Sequence, residues 1–537
     1  MKHPFIPSLL FSSFAFTTAV LLFGLPFSIK AGEQWTLDPD AVLVLGQPDF
    51  TSDDSGDGVT GLYVPNDIAI DPATGKIFIV ESNRNRVVRF DSFSALENGA
   101  AAEAVLGQPD FETFISTTTA TGMSFPSKAV VDASGNLWVV DGGNARVLRF
   151  NNASSLANSS PADGVLGQSD FVTGDTGLSD SEFNAPGGIA IDPSGNLFVS
   201  DTGNSRVLVF FDAINAADGA AASRVLGQEN FTSPGIATDQ DGMEGPRGLA
   251  CDDAGNLYVV DTGNHRVLRF NSAAGKADGD DADGVLGQSD YSGDRAGALD
   301  NGFWGPRDAV VDPEGRLWVS EFSSRRVLGF SDAINLANGA SADLLLAQPD
   351  FASLETGVTA SRIGPAEGIG VDSSGRIYLA DTAQRRVLVF EKDLHQPDTR
   401  IGEKASAPKG NNKYNSSGSG QKESVKTEGK EVKLTVKVEN EGNISDSYWI
   451  KSKGTTSKFR IKVFMKTGGK KNITAAAKKG TYLSSEVASG GSLKLEHKIK
   501  AKGKFRKKRS TINAWIEASS NVDGEKDRVV GKIKNRP

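Results

Sequence analysis

The sequence predicts an all-β protein: a six-bladed β-propeller with four-stranded blades, followed by a C-terminal β-sandwich. The first observation is a segment of the type Leu-Gly-Gln-Pro-Asp-Phe that recurs six times, with a step of 61 residues once and 60 residues four times. So regular a period indicates one supersecondary unit copied in tandem. The second is that each copy contains three further strand-like runs. The third is a change to alternating apolar and charged residues after the last copy. The glycine of the segment occupies positions Gly46, Gly107, Gly167, Gly227 and Gly287, and Ala347 replaces it in the last copy.

The second copy illustrates the predicted blade. Its three runs are 128–132, 136–140 and 146–150, each rich in β-branched or aromatic residues and bounded by turn residues. Gly135 supplies the positive φ that a tight hairpin between the first two runs requires. With the Val-Leu pair before each Gly-Gln, every copy has four strands, and antiparallel four-stranded units repeated radially form a propeller.

The phase of the repeat predicts how the ring closes. The first Leu-Gly-Gln, at Leu45, has no three-strand set before it, and the last set, 368–390, has no Leu-Gly-Gln after it. We therefore expect the N-terminal strand to complete the last blade, which removes the exposed sheet edge of an open array.

Three segments of the fourth copy carry a family resemblance. Pro246–Asp252, Gly255–Asp261 and Thr262–Val267 resemble the NHL repeat almost literally, and the resemblance extends from about residue 42 to residue 390. It implies a six-bladed propeller over residues 41–392. Some relatives of this fold resemble zinc-dependent amidating lyases, which need several histidines in the channel.

The chain after the repeats predicts a second domain. Residues 393–430 are rich in Lys, Asn, Ser and Gly, and indicate a linker or a loosely structured start of the next domain. Residues 431–537 contain short alternating strands, as in 432–439, which favour an immunoglobulin-like sandwich. The phrase Val438–Tyr448 resembles the accessory β-sandwich modules of exported bacterial proteins.

The N-terminal segment predicts export. Lys2 and His3 precede an apolar stretch from Pro4 to Ile29, and a cut near Ala31 would make residues 1–31 a signal peptide. The alternative is an uncleaved anchor, which would be the protein's contact with a membrane. We expect a secreted, periplasmic or cell-surface location. The single cysteine excludes an internal disulfide.

The charge is divided unevenly. From Gln396 onward the chain has 33 basic and 14 acidic residues, against 25 and 53 before it, within a net charge of −9. The densest basic run suggests contact with an anionic cell-envelope polymer or with the acidic repeats, and a merely solvated loop is the alternative. The acidic repeats and the export signal argue against a nucleic-acid partner. The candidate contact residues are Lys504, Arg506, Lys507, Lys508 and Arg509.

Charges that recur in every copy favour a structural role. An arginine opens the last run of each copy, and an acid stands five residues before it; we predict that this pair pins the hairpin or links neighbouring blades. An aspartate ends the first run of each copy, where it is placed to cap the following turn. The arginines are Arg86, Arg146, Arg206, Arg266, Arg326 and Arg386, and the aspartates are Asp71, Asp132, Asp192, Asp252, Asp312 and Asp372.

Positions where the copies differ are the candidates for function. At the start of the first run the chain has Arg247, Arg307, Asp308 and Glu367. We expect these starts at the mouth of the central channel, a concave site that ligands prefer. The hypothesis is a polar ligand-binding cluster; the alternative is that the four side chains are solvated and paired with one another.

Catalytic and metal motifs are scarce. The chain holds four histidines, one of them His3, and no Gly-x-Ser-x-Gly segment supports a nucleophile. Asp53–Gly58 starts like a calcium loop but has Val64 where a bidentate glutamate belongs, so an acidic loop is favoured. We expect no metal and no cofactor. The sequence favours a non-catalytic scaffold that binds a protein, peptide or glycan; the alternative is a propeller lyase or hydrolase acting at the channel mouth.

Overall fold

The computed structural model describes most of the first 394 residues and a smaller part of the residues after them. The described residues are 33–35, 37–394, 397–402, 422–427, 431–440, 447–453, 455–456, 459–467, 469–488, 491–502, 510–520 and 526–535. Gln34–Asp393 forms one compact unit, and the residues from Leu394 belong to another. The predicted signal peptide lies outside the described residues.

Strands of three to six residues make up the first unit, because short β-branched runs alternate with glycine-bearing turns. They are β2 (Leu43–Leu45), β3 (Pro65–Ile70), β4 (Ile77–Glu81), β5 (Arg86–Phe90), β6 (Ala104–Leu106), β7 (Pro126–Val131), β8 (Leu137–Asp141), β9 (Arg146–Phe150), β10 (Gly164–Leu166), β11 (Gly188–Ile191), β12 (Leu197–Asp201), β13 (Arg206–Phe210), β14 (Arg224–Leu226), β15 (Pro246–Cys251), β16 (Leu257–Asp261), β17 (Arg266–Phe270), β18 (Gly284–Leu286), β19 (Pro306–Val311), β20 (Leu317–Glu321), β21 (Arg326–Phe330), β22 (Leu344–Leu346), β23 (Ile369–Val371), β24 (Ile377–Asp381) and β25 (Arg386–Phe390). Two-residue strands, β1 (Glu33–Gln34) and β26 (Asp393–Leu394), pair with each other.

These strands form six four-stranded antiparallel sheets, numbered first to sixth in chain order. The orders are β3-β4-β5-β6, β7-β8-β9-β10, β11-β12-β13-β14, β15-β16-β17-β18, β19-β20-β21-β22 and β23-β24-β25-β2. Four strands per repeat, with the Leu-Gly-Gln strand outermost, confirms the assignment made from the sequence. The chain is therefore an all-β protein built from repeated antiparallel sheets.

The sixth sheet takes its outer strand from the start of the chain. Leu43 pairs with Val389, and Leu45 pairs with Val387. This is the pairing that the phase of the repeat predicts, and it leaves no outer edge open between the first and last repeats. The inner strands β3, β7, β11, β15, β19 and β23 contact one another in succession, and β23 also contacts β3.

Apolar side chains fill the space between neighbouring sheets. Phe78 and Val80 of the first sheet share one buried cluster with Leu137 and Val139 of the second. Each face of a sheet therefore packs on the next sheet, which explains why the second strands are buried along their whole length.

Single-turn 3-10 helices connect many strands. They are Ser82–Arg84, Phe93–Ala95, Gly142–Asn144, Ala153–Ser155, Thr202–Asn204, Ala213–Asn215, Ala273–Gly275, Ala333–Asn335 and Thr382–Gln384. The other turns confirm the capping role of the repeated aspartates: Asp132 Oδ1 accepts the backbone N–H of Ser134 at 2.8 Å, and Gly135 has φ 81°.

The second unit contains two five-stranded sheets, β27-β29-β34-β31-β32 and β28-β36-β35-β30-β33, over a shared apolar cluster. Its elements are β27 (Pro397–Gly402), β28 (Lys422–Thr427), β29 (Val432–Asn440), β30 (Tyr448–Ser452), β31 (Phe459–Met465), β32 (Lys471–Asn472), α1 (Thr474–Lys479), β33 (Tyr482–Leu483), β34 (Ser492–Ala501), β35 (Ser510–Ser520) and β36 (Lys526–Asn535).

Two of these strands lie in the segment predicted as a linker or loose start. β27 pairs with β29, and β28 pairs in parallel with β36. The polar composition of this segment hides the strands, because the partner strand decides β-structure more than local propensity does. Among the described residues, none of the helices has the length and hydropathy needed to cross a membrane.

Candidate functional site

The repeated arginine–acid pairs are structural, as the sequence predicts. Each arginine Nε donates to the acid five residues before it, and all of these side chains are fully buried. We call the six the hairpin arginines. The distances are 2.6 Å for Arg86–Glu81, 2.7 Å for Arg146–Asp141, Arg206–Asp201 and Arg266–Asp261, and 2.8 Å for Arg386–Asp381, and the sixth pair is Arg326–Glu321.

Each hairpin arginine also holds the loop that follows its own sheet's Leu-Gly-Gln strand. Arg146 Nη1 donates to the carbonyl of Phe171 at 2.6 Å, and its Nη2 donates to the carbonyls of Thr119 and Gly122. The glutamine of the Leu-Gly-Gln segment also holds this loop, since Gln168 Nε2 donates to the carbonyls of Ala145 and Asp175. The shared residues of the repeat thus fix loops, and the differing residues are left for function.

Bulges in the inner strands aim the candidate residues out of the sheet. In β19, Pro306 pairs with Glu321 and Asp308 with Ser320, so Arg307 is an extra residue in the ladder. β15 shows a register shift between Pro246 and Leu249, which spans Arg247. A bulge redirects a side chain without breaking the strand.

Three predicted residues come together at this point, which we call the mouth cluster: Arg247, Arg307 and Glu367. Arg307 Nε lies 3.7 Å from Glu367 Oε2, and the Arg307 guanidinium lies 4.7 Å from the Phe322 ring. Arg247 is exposed, but desolvation by the surrounding protein, together with the charge of Arg307, lowers the pKa of its guanidinium. Two guanidiniums and one carboxylate leave this cluster with an excess positive charge.

The fourth predicted residue, Asp308, faces another partner. Its Oδ2 lies 2.5 Å from Lys128 Nζ, and Lys128 Nζ also lies 3.2 Å from Asp67 Oδ1. We call these three the buried charge cluster. They occupy equivalent positions in the fifth, second and first sheets, one residue further along the inner strand than the mouth cluster.

Sequence reasoning missed Lys128 and Asp67 as members of a site. The signal was present, because at this position the other three repeats have glycine. A charge in an otherwise apolar inner strand must find a partner, but the partners are 61 and 180 residues away in the chain. Only the closed arrangement of inner strands brings them together.

The glycines at the equivalent positions make room for the charges. A Cβ on Gly248 would lie 2.4 Å from Asp308 Oδ1, and a Cβ on Gly368 would lie 2.6 Å from Asp67 Oδ1. Each carboxylate also bridges to the next sheet: Asp67 Oδ2 accepts the N–H of Ala129 at 2.8 Å, and Asp308 Oδ2 accepts that of Ile369 at 3.0 Å.

Burial changes the protonation of this cluster. Desolvation, with the nearby charge of Asp308, raises the pKa of Asp67 to about 7 against the attraction of Lys128. Burial alone would lower the pKa of Lys128, but the two carboxylates raise it. The Asp67 carboxyl therefore gains and loses its proton near neutral pH, while the Lys128 ammonium stays charged.

Exposed aromatic side chains precede three of the inner strands, at the same end of those strands as the mouth cluster. Tyr63, Phe125 and Trp304 each stand one or two residues before an inner strand begins, and they are 38%, 56% and 42% exposed. The Arg84 guanidinium lies 5.3 Å from the Tyr63 ring. This end of the inner strands thus carries exposed aromatic rings as well as arginines.

A cavity of about 230 Å³ lies on the other side of the buried charge cluster. The six inner strands line it, and apart from Asp67, Lys128 and Asp308 its side chains are apolar. Cys251 is one of them, and burial raises the pKa of its thiol well above the usual range. The mouth cluster does not line the cavity.

The structure adds little about two other segments singled out from the sequence, the acidic loop and the basic run. In the part of the chain that it describes, no group of three or more His, Cys, Asp or Glu is placed to hold a metal ion. Asp57 of the acidic loop pairs with Arg84. The basic run with Lys504, Arg506, Lys507, Lys508 and Arg509 lies outside the described residues.

Comparisons with known proteins agree with the repeat architecture. Residues 183–210 and 244–270 match the family model of the NHL repeat. Teneurin-3 of Danio rerio is 26% identical over 166 residues, which span 28% of this chain and only 6% of that protein.

Two solved structures are similar at low identity. A streptogramin B lyase is 12% identical, with 64% of this chain and 96% of that chain covered and a TM-score of 0.34. An auxiliary nutrient binding protein from Bacteroides thetaiotaomicron VPI-5482 is 12% identical, with 65% and 76% covered and a TM-score of 0.41. The two repeat matches and the four-stranded antiparallel sheets support an NHL-type β-propeller.

Proposed function

We propose that this chain is an exported, non-catalytic binding protein. Its six sheets would be the blades of a six-bladed propeller, and the mouth would bind a protein, peptide or glycan. The observation that carries the proposal is the mouth cluster with its exposed rings, Tyr63, Phe125 and Trp304. Aromatic residues and arginine are the types enriched at binding surfaces and among the residues that dominate affinity.

Binding to peptide and glycan arrays tests the mouth. We expect the double variant Arg247→Ala/Arg307→Ala to lose binding of whatever ligand the unaltered protein selects. The matched control is Arg224→Ala, because Arg224 is exposed and stacks on Phe211 at 5.8 Å, but lies in the outer strand β14. Unchanged affinity in the double variant would contradict the proposal.

An immunoglobulin-like sandwich, similar to modules of exported bacterial proteins, would supply attachment to an anionic surface. The excess of basic residues after Gln396 supports this role. The test is retention on cell-envelope material, with Lys504, Arg506, Lys507, Lys508 and Arg509 changed to Gln. We expect retention to fall in that variant and in high salt, since surface charges are screened over about 8–10 Å. Retention that is unchanged by the substitutions and by high salt would overturn the proposal that this domain attaches to an anionic surface.

One observation favours a second candidate, a lyase or hydrolase acting at the channel. Asp67 has a pKa near 7 and lines a cavity, and perturbed acids of this kind are common in active sites. A screen on peptides and lactones, with and without added metal, separates the candidates. Turnover that disappears in Asp67→Asn but survives in Arg247→Ala/Arg307→Ala would establish the enzyme and overturn the proposal that the protein is non-catalytic.

A further inference from the structure

The buried charge cluster separates the mouth of the channel from the cavity. The cavity is lined by residues that follow Asp67, Lys128 and Asp308 along the inner strands, and it reaches Pro72 in the turn after β3. Ile70, Ile191 and Cys251, near that end, are partly exposed. The cavity is thus an apolar well with an accessible end, and the buried charge cluster is its floor. It is separate from the mouth that carries the proposed function.

The floor holds more negative than positive charge. Two carboxylates face one ammonium group, and all three side chains are at most 9% exposed. An uncompensated charge is costly away from water, and without a further cation a proton can take that place. A positively charged ligand group would supply the same compensation without the proton.

The floor also keeps an unused acceptor. Asp308 is 4% exposed, and its hydrogen bonds from Lys128 and from the N–H of Ile369 both end on Oδ2. In the described part of the chain no group donates to its Oδ1, which lies beside Gly248 where a side chain would collide. A ligand N–H reaching the floor would therefore find a carboxylate oxygen.

The walls of the well are apolar, so the part of a ligand away from the floor should be apolar too. Residues such as Ile70, Val131, Val311 and Val371 offer only aliphatic surface. A dry cavity of about 150 Å³ is large enough for benzene, so about 230 Å³ accommodates six carbons with a headgroup. We propose that this well binds a small primary alkylamine, with the ammonium group on Asp308 and Asp67 and the alkyl chain along the inner strands.

The probe that tests this is n-hexylamine, compared with n-hexanol and hexanoate. Calorimetry on the full chain at pH 8 should give hexylammonium at least tenfold tighter binding than hexanol, and hexanoate the weakest. Cys251 is an internal reporter, because it lines the well and is the single cysteine of the chain. Hexylammonium should slow its modification by methyl methanethiosulfonate, followed by intact mass.

Two variants locate the binding. In Asp308→Asn the amide can still accept from Ile369, but the excess negative charge is gone, so the preference for ammonium over alcohol should fall to within twofold. Arg247→Ala, at the mouth, should leave hexylammonium binding unchanged, which separates this site from the proposed function. If Asp308→Asn does not fold, the alcohol comparison and the protection of Cys251 in the unaltered protein still decide the question.

Binding should also release a proton. Since Asp67 titrates at about pH 7, hexylammonium affinity should rise roughly tenfold from pH 6 to pH 8. The charged groups around Asp67 are Lys128 and Asp308 on the facing strands, with Glu367, Arg247 and Arg307 at the mouth. Equal affinity for hexylammonium and hexanol, or no protection of Cys251 at saturating ligand, would overturn the proposal.

Discussion

Lys128 and Asp308 form an ion pair across the channel: Nζ lies 2.5 Å from Oδ2, although the two side chains are 180 residues apart and two sheets, the third and the fourth, lie between theirs. Asp67 completes the cluster from the first sheet. One lysine therefore joins the second sheet to the first and the fifth, and the closed set of inner strands has a polar contact at its centre.

Removing the lysine should destabilise the first unit strongly. Lys128→Met leaves two buried carboxylates without a cation, and breaking a buried pair from one side costs about 3–5 kcal/mol. Scanning calorimetry on the full chain measures the shift of the unfolding transition. The control is Lys128→Met combined with Asp67→Asn and Asp308→Asn, which removes the charges together and should recover much of the loss. A single variant as stable as the parent would contradict this account.

Substituting a hairpin arginine should also be costly. Arg266 donates to Asp261 at 2.7 Å and to the carbonyls of Thr238, Asp239, Gly242 and Tyr291. Lysine lacks the planar fork that serves several acceptors at once, so Arg266→Lys should lose about 2–4 kcal/mol of unfolding free energy. Arg224→Lys, at an exposed site, should change it by less than about 0.5 kcal/mol. Similar losses in both variants would remove the structural role assigned to the hairpin arginines.

The Leu-Gly-Gln glycine can be tested against another glycine of similar φ. Gly167 has φ 84°, and a Cβ there would lie 2.1 Å from the Phe183 ring. Gly195 also has φ 84° but no heavy atom within 4 Å of such a Cβ. Gly195→Ala should cost about 1 kcal/mol from backbone strain, and Gly167→Ala about 1–3 kcal/mol more from overpacking. Urea unfolding of the two variants gives the difference, and equal costs would rule out the packing contribution.

The second unit should weaken in acid because of a buried histidine. His497 in β34 is fully buried, and burial lowers its pKa to about 4 from 6.5. Between these values the unfolded chain binds a proton that the folded chain does not, so stability is lost as the pH falls from 6.5 towards 4. The loss at pH 4.5 should be about 2–3 kcal/mol.

His497→Leu is the control for that effect. Other groups titrate in the same interval, so the quantity to compare is the change in unfolding free energy between pH 7 and pH 4.5 in the two proteins. The variant should lose less stability over this interval by about 2–3 kcal/mol. Parallel pH dependence in both would show that His497 does not control it.

The repeated features were predictable because each of them occurs in all six copies of the repeat. Period, turn glycines and the arginine–acid spacing result from local chemistry, and each copy repeats the same evidence. The unrepeated features were harder. Arg307 and Glu367 were predicted at the channel mouth, but Asp308, the next residue, was assigned to the same cluster and in fact contacts Lys128. Alternation along a strand, complicated by a bulge at this point, decides which way each side chain faces.

By itself, the sequence determined the four-stranded unit, its six copies and the strand that closes the last sheet, because these depend on period and phase. Which of the non-repeated charged residues contact one another was decided by the tertiary structure alone. Asp67, Lys128 and Asp308 stand in three different repeats, and their contact depends on the inner strands lying around a common centre. Local pattern specifies what a strand is, whereas the partners of a buried charge depend on the distance between strands, which no single repeat encodes.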